Sequence, residues 1–168
     1  MADEIINRVA NSKLVTIDLE DFYPEGKRVL FDLKDWLFQE LVLREKDFRQ
    51  FVSDHDWSQY QDNYVAITCS ADAIIPAWAY MLVTIHLQPY AKKVVIGSLE
   101  ELETLVYQNI ISNLDNEDYK DKPIIVKGCS KKPVPISAYS MLTAHLKPVA
   151  KSIMFGEACS FVPLFKRK

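Results

Sequence analysis

Apolar and polar positions change their spacing along this chain in a way that separates strands from helices. Tyr64 to Thr68 (YVAIT) and Ile124 to Lys127 (IIVK) are short, β-branched and bounded by polar turns, the pattern of strands buried on both faces. Val94 to Ile96 (VVI) and Ile153 to Phe155 (IMF) close on Gly97 and Gly156 and predict return strands. Val29 to Phe31 (VLF) predicts one more strand, ahead of the amphipathic stretch Lys34 to Ser53. Pro76 and Pro135 open helices of about 12 residues, and Pro89 and Pro148 stop them. A further helix is predicted over about Leu99 to Asn113. Leu14 to Leu19 (LVTIDL), joined through Tyr23-Pro24-Glu25-Gly26 to Val29, reads as a hairpin that adds an antiparallel edge strand, so residues 1–27 form an amino-terminal hairpin segment.

Two stretches of the chain repeat at an offset of about 59 residues, 56–97 and 115–156. Pro76, Ala79, Tyr80, Thr84, His86, Leu87, Pro89, Ala91, Lys92 and Gly97 recur as Pro135, Ala138, Tyr139, Thr143, His145, Leu146, Pro148, Ala150, Lys151 and Gly156. Each copy reads as strand, Cys-Ser turn, helix, strand. Crossovers of this length make neighbouring strands parallel and right-handed. The expectation is an α/β fold in which residues 1–168 form a single layered domain. Its mostly parallel sheet has five strands and one antiparallel edge strand, and it arises by internal duplication. The helix from Pro76 to Gln88 has almost no polar face and must be covered on both sides. A homodimer contact would cover it; the amino-terminal segment is the alternative.

Charge narrows the partners. Lys and Arg number 20 against 23 Asp and Glu, a net charge of −3 with no basic stripe, so nucleic acid is excluded as a main partner. No apolar run is long enough to cross a membrane, and Met1-Ala2-Asp3-Glu4 lacks the order of a signal peptide, so the expected compartment is the cytoplasm. Four scattered glycines exclude both the dinucleotide loop and the Walker-type phosphate loop.

Candidate chemistry then rests on three cysteines. Cys69 and Cys129 are predicted at the carboxyl ends of parallel strands, just before helices, and Cys159 follows the last strand on the same rim. Reduced thiols gathered on one edge point to metal, cluster or sulfur chemistry. Free amides and the helix dipole would favour thiolates there, with Ser70 and Ser130 as turn or cap residues and Lys127, Lys131 and Lys132 as nearby cations. Asp72 and Glu157 are the available carboxylates. Three thiolates and one carboxylate suit zinc, and three thiolates alone would leave one iron of an iron–sulfur cluster open. The structural alternative is that the cysteines are small buried apolar residues.

Other polar residues read as structural. His86 and His145 fall in the last turns of their helices, and His55 in an Asp-rich turn. Asp18, Glu20, Asp21 and Glu25 read as a solvated acidic edge, Tyr60, Asp62, Tyr119 and Asp121 as turn anchors, and Lys166-Arg167-Lys168 as a solvated terminus.

The blocks EIINRV (Glu4 to Val9), TCSADAIIP (Thr68 to Pro76), KGCSKKPVP (Lys127 to Pro135) and GEACSFVPL (Gly156 to Leu164) resemble a bacterial family, Domain of Unknown Function 2480, over close to the full length. Ala158 stands where that pattern has a proline. The resemblance carries no catalytic residue across. It implies an association with iron–sulfur cluster assembly. The leading expectation is a non-catalytic accessory protein of iron–sulfur or sulfur metabolism, holding a metal or cluster through Cys69, Cys129 and Cys159, with iron–sulfur assembly proteins as partners. One alternative is a sulfur carrier or enzyme that uses a Cys129 thiolate. The other is an interaction protein with packed cysteines.

Overall fold

The structure is a computed structural model that describes residues 13–128 and 131–168. The fold is mixed α/β, as expected. Its elements run β1 (Val15–Ile17), β2 (Arg28–Asp32), α1 (Glu45–Asp54), β3 (Tyr64–Thr68), α2 (Ala77–Leu87), β4 (Lys93–Ile96), α3 (Leu99–Ser112), β5 (Pro123–Val126), α4 (Ile136–Leu146), β6 (Ser152–Glu157) and β7 (Ser160–Lys166). Among the described residues these strands form two sheets and not one, in the orders β2-β3-β4 and β1-β5-β6-β7. Every pairing is parallel except β6 with β7. The chain divides into two compact units, a central one (Pro24–Val106) and a terminal one (Met1–Tyr23 with Tyr107–Lys168).

The central unit folds around β3, whose Val65, Ala66 and Ile67 are fully buried. α2 lays Ala79, Val83 and Leu87 into a core that also holds Phe31, Leu33, Phe48, Val52, Trp57 and Tyr60. The spacing of four puts those helical residues on one stripe, so the opposite stripe, with Met81 and Ile85, stays open to solvent. The expectation that α2 is covered on both sides therefore holds within this unit for one side. The amphipathic stretch Lys34 to Ser53 is not one helix. A 3-10 helix, Leu33–Trp36, precedes α1, and positive φ angles at Gln39 and Glu40 break the run between them.

The terminal unit has the same core succession. Ile124 and Val126 of β5 and Ala138, Leu142 and Leu146 of α4 pack with Ile153 of β6. The two helices repeat at the 59-residue spacing, each with a proline N-cap, Pro76 or Pro135. Asp62 and Asp121 both take positive φ and donate their amides to the carbonyls of Tyr90 and Val149 at 3.0 and 2.9 Å, so they do anchor turns.

Two corrections follow from pairing. The segment Leu14 to Leu19 is not a hairpin partner of Val29, because β1 pairs in parallel with β5, Val15 opposite Ile124 and Ile17 opposite Val126. That register buries Ile17 and Leu19 with Tyr107 and Ile111, which an antiparallel turn at Tyr23 would not achieve. The antiparallel edge strand is instead β7, a segment to which the sequence pattern assigned no strand. A register shift between Ile153 and Met154 breaks its alternation, and Pro163 disguises it as a loop.

Candidate functional site

In the central unit the cysteine turn is held by a carboxylate. β3 is buried through Val65, Ala66 and Ile67 and ends on Thr68, and Cys69 and Ser70 are where the chain leaves the sheet. Ser70 does not cap α2, because Pro76 is the N-cap and the loop 69–76 stands between them. Instead the Ser70 amide donates to Asp32 Oδ1 at 3.0 Å and its hydroxyl to Oδ2 at 2.5 Å. Asp32 ends the neighbouring strand β2, opposite Thr68, and also accepts the Lys34 amide at 3.0 Å. One side chain thus closes the 3-10 helix behind it and grips the turn in front. Burial pushes its pKa up, but the Ser70 hydroxyl, the Ser70 and Lys34 amides and the Lys34 charge outweigh that and hold the carboxyl below the usual aspartate range.

Cys69 is half-buried against the core, with a long 3.9 Å contact from Sγ to the Ala71 carbonyl. Burial, followed by the negative charge of Cys69 and Asp32, raises the Tyr80 hydroxyl pKa, which marks all three as electrostatic neighbours. Asp72 and Ile74 project from the loop into solvent.

In the terminal unit Cys159 is exposed in the tight turn between β6 and β7, next to the exposed Glu157 that pairs with Ser160. Gly156 has φ +126°, and a Cβ there would stand 2.6 Å from the Ser160 carbonyl, so this hairpin demands glycine. Lys131 is exposed, and Cys129 and Ser130 lie outside the described residues. The acidic residues are more than a solvated edge. Asp18 follows β1, caps the 3-10 helix Leu19–Phe22 through the Glu20 amide at 3.0 Å, and lies 3.7 Å from Lys127 Nζ. Glu20 accepts the Lys132 amide at 2.9 Å.

Cys69 and Cys159 therefore each stand at the carboxyl end of a parallel strand in their own sheet, the rim where open α/β sheets place ligands. Among the described residues no three His, Cys, Asp or Glu side chains are grouped to hold a metal ion. The histidines serve packing. His55 bonds Tyr60 Oη at 2.9 Å, His86 stacks on Trp57 with ring centres 5.3 Å apart, and His145 Nε2 is 3.3 Å from the Leu114 carbonyl. The tail residue Arg167 pairs with Asp121 at 2.7 Å and is tied down.

The terminal unit also has an open cavity of about 420 Å³ between α4 and the β6–β7 pair, walled by Val126, Tyr139, Thr143, Phe155 and Leu164. Small residues on α4, Ser140 and Ala144, leave this hollow where the matching positions of α2 carry Met81 and Ile85. Among the described residues no helix is long and apolar enough to cross a membrane.

Spacing alone did not single out Asp32 or Tyr80. A signal for Asp32 existed in the sequence. Val15-Thr16-Ile17-Asp18-Leu19-Glu20-Asp21-Phe22 and Val29-Leu30-Phe31-Asp32-Leu33-Lys34-Asp35-Trp36 match at an offset of 14, and both are strand, Asp cap and 3-10 helix.

No curated protein and no solved structure matches the chain. A family model described as "Protein of unknown function (DUF2480)" matches residues 3–167, nearly the whole length, and the chain belongs to that family.

Proposed function

We propose that this protein is a non-catalytic accessory factor of iron–sulfur or sulfur metabolism that holds zinc or an iron–sulfur cluster through Cys69, Cys129 and Cys159. Asp72 or Glu157 completes the ligand set, and Ser70, Ser130 and Lys131 supply hydrogen bonds and charge around it. It works in the cytoplasm, as a homodimer and beside iron–sulfur assembly proteins. The observation that carries this reading is the built cysteine turn. Asp32 fixes Ser70 with two hydrogen bonds, while the adjacent Cys69 thiol keeps one long contact to a carbonyl. A thiol that served packing alone would not need its neighbour clamped at a sheet rim. The exposed Cys159, also on a rim, is the second support.

The test is elemental analysis with an ultraviolet–visible spectrum on protein purified without oxygen. About one zinc per chain, or iron and sulfide with broad visible absorption, is the expected result. Each single Cys→Ser change should lower the bound metal. Metal-free, colourless protein overturns the reading, as does full metal retention in any one of the three variants.

A further inference from the structure

The two units differ at one edge. In the terminal unit β7 covers the outer edge of β6, and Leu164 of β7 lines a cavity with Ser140, Ala144 and Phe155. Those three positions correspond, at the 59-residue spacing, to Met81, Ile85 and Ile96 of the central unit. There β4 is the last strand of its sheet, and Met81, Ile85 and Ile96 are 62%, 61% and 55% exposed. Among the described residues the central unit thus has an unpaired strand edge beside large apolar side chains, at the place where its counterpart carries an antiparallel strand.

The geometry points to a second copy of this chain as the occupant, pairing β4 with β4 of the other copy about a two-fold axis at Val95. This surface deepens the homodimer reading given above and rests on it. Gly97 donates its amide to Ile67 of β3 at 2.9 Å, so the alternation of the strand turns the amides and carbonyls of Val94 and Ile96 outward. With Val95 opposite Val95 of the copy, Val94 meets Ile96 in a hydrogen-bonded pair on each side of the axis. Lys93 meets Gly97, so no lysine faces a lysine. The axis is perpendicular to the sheet and keeps both α2 helices on one face. Two strand spacings set those helices about 10 Å apart, the distance at which helices pack. No Asp, Glu, Lys or Arg occurs from Ala73 to Ala91, so the facing α2 helices carry no such charge to repel one another. The contact is isologous and closes at two chains. The same pairing protects an edge that would otherwise invite uncontrolled strand addition.

The experiment is light scattering coupled to size exclusion on the full chain, with circular dichroism as a check of folding. Wild type is expected at twice the 19.4 kDa of one chain. Met81→Lys with Ile85→Lys, and separately Ile96→Lys, should halve that mass with unchanged dichroism, since all three side chains already face solvent. Ile136→Lys, on the terminal unit, should leave the mass unchanged. A single-chain mass for wild type sinks the homodimer reading and this surface together. A dimer that survives both β4-side variants sinks the surface alone, and so does dissociation by Ile136→Lys.

Discussion

The central and terminal units share three parallel strands, a helix that buries every fourth residue and an Asp-capped 3-10 helix after the first strand, yet they finish that frame differently. The terminal unit spends its last seven residues of strand on closing an edge and keeps Ser140 and Ala144 small, which leaves a hollow. The central unit has no such strand and carries Met81 and Ile85 in the same places. Among the described residues their rims differ as well, since Asp32 grips a serine whereas Asp18 faces Lys127. A frame shared by two units can therefore be tuned by a few side chains at its edge and rim without disturbing its core. The core positions, Ala79, Val83 and Leu87 against Ala138, Leu142 and Leu146, are conservative between the two, because burial limits what fits.

The largest expected effect breaks an asymmetry in how α3 is held. Arg28 Nε and Glu103 Oε1 are 2.5 Å apart within the central unit and nearly buried, whereas the terminal half of α3 is tied by Tyr107 Oη to the Leu19 carbonyl at 2.8 Å. Glu103→Ala breaks a nearly buried ion pair, leaving Arg28 its hydrogen bonds to the Pro24 and Gly26 carbonyls, and should cost about 3–5 kcal/mol, against about 1 kcal/mol for Tyr107→Phe. Denaturant titration measures both, and equal costs would remove the asymmetry.

Next come Leu87→Ala and Leu146→Ala, each deleting a fully buried side chain at matching positions, for about 2–5 kcal/mol. Trp36, Trp57 and Trp78 all belong to the central unit, so tryptophan fluorescence reports that unit. Leu87→Ala should lower the fluorescence midpoint more than Leu146→Ala, which should act chiefly on amide exchange in β5 and α4. Identical fluorescence shifts would show a single cooperative transition and erase the comparison.

A smaller effect sharpens the contrast between the rims. Asp32→Asn removes a charged acceptor from a partly exposed site and should cost about 1 kcal/mol. It should also free the cysteine turn, so that alkylation of Cys69 speeds up while Cys159 reacts as before. Peptide mass analysis after timed alkylation would show this, and an unchanged Cys69 rate would refute the grip. Because the folded Asp32 pKa lies below its unfolded value of 3.8, the stability it lends is complete above that pH and is lost as pH falls towards the folded value.

The smallest effect is confined to the aromatic cluster of the central unit. Burial, opposed by the Asp56 charge, holds the His55 pKa below its usual 6.5. The folded state favours neutral His55, so its contribution is complete above pH 6.5 and falls away as pH drops through the folded value. His55 lies against Trp57 and Trp36, with ring centres 4.7 and 5.3 Å apart, so tryptophan emission should track that loss. His55→Gln should flatten the profile between pH 6.5 and the carboxylate range.

How much of this was legible from residues depends on range. The parallel strands and crossover helices were legible because apolar periodicity and proline punctuation act within a few residues. That Cys69 and Cys159 each follow a parallel strand was legible from the same local signals, whereas their division between two sheets was not. The grip of Asp32 on Ser70 spans 38 residues and has no spacing rule, although the tandem match of Asp18-Leu19 with Asp32-Leu33 marked both caps. β7 was hidden by Pro163 and by a broken alternation.

The sequence by itself determined β3, β4, β5 and β6, the helices α2, α3 and α4 and which of their side chains face inward, since these depend on chirality, steric limits and burial along one segment. Only the tertiary structure decided that the strands divide between two sheets, that β1 joins β5, and that one edge is closed by β7 while β4 has no outer partner among the described residues. Runs of three to five β-branched residues offer equivalent hydrogen bonds to any neighbour in either direction. The choice falls to the partner whose core accepts the side chains, as that of Tyr107, Ile111 and Ile124 accepts Ile17 and Leu19.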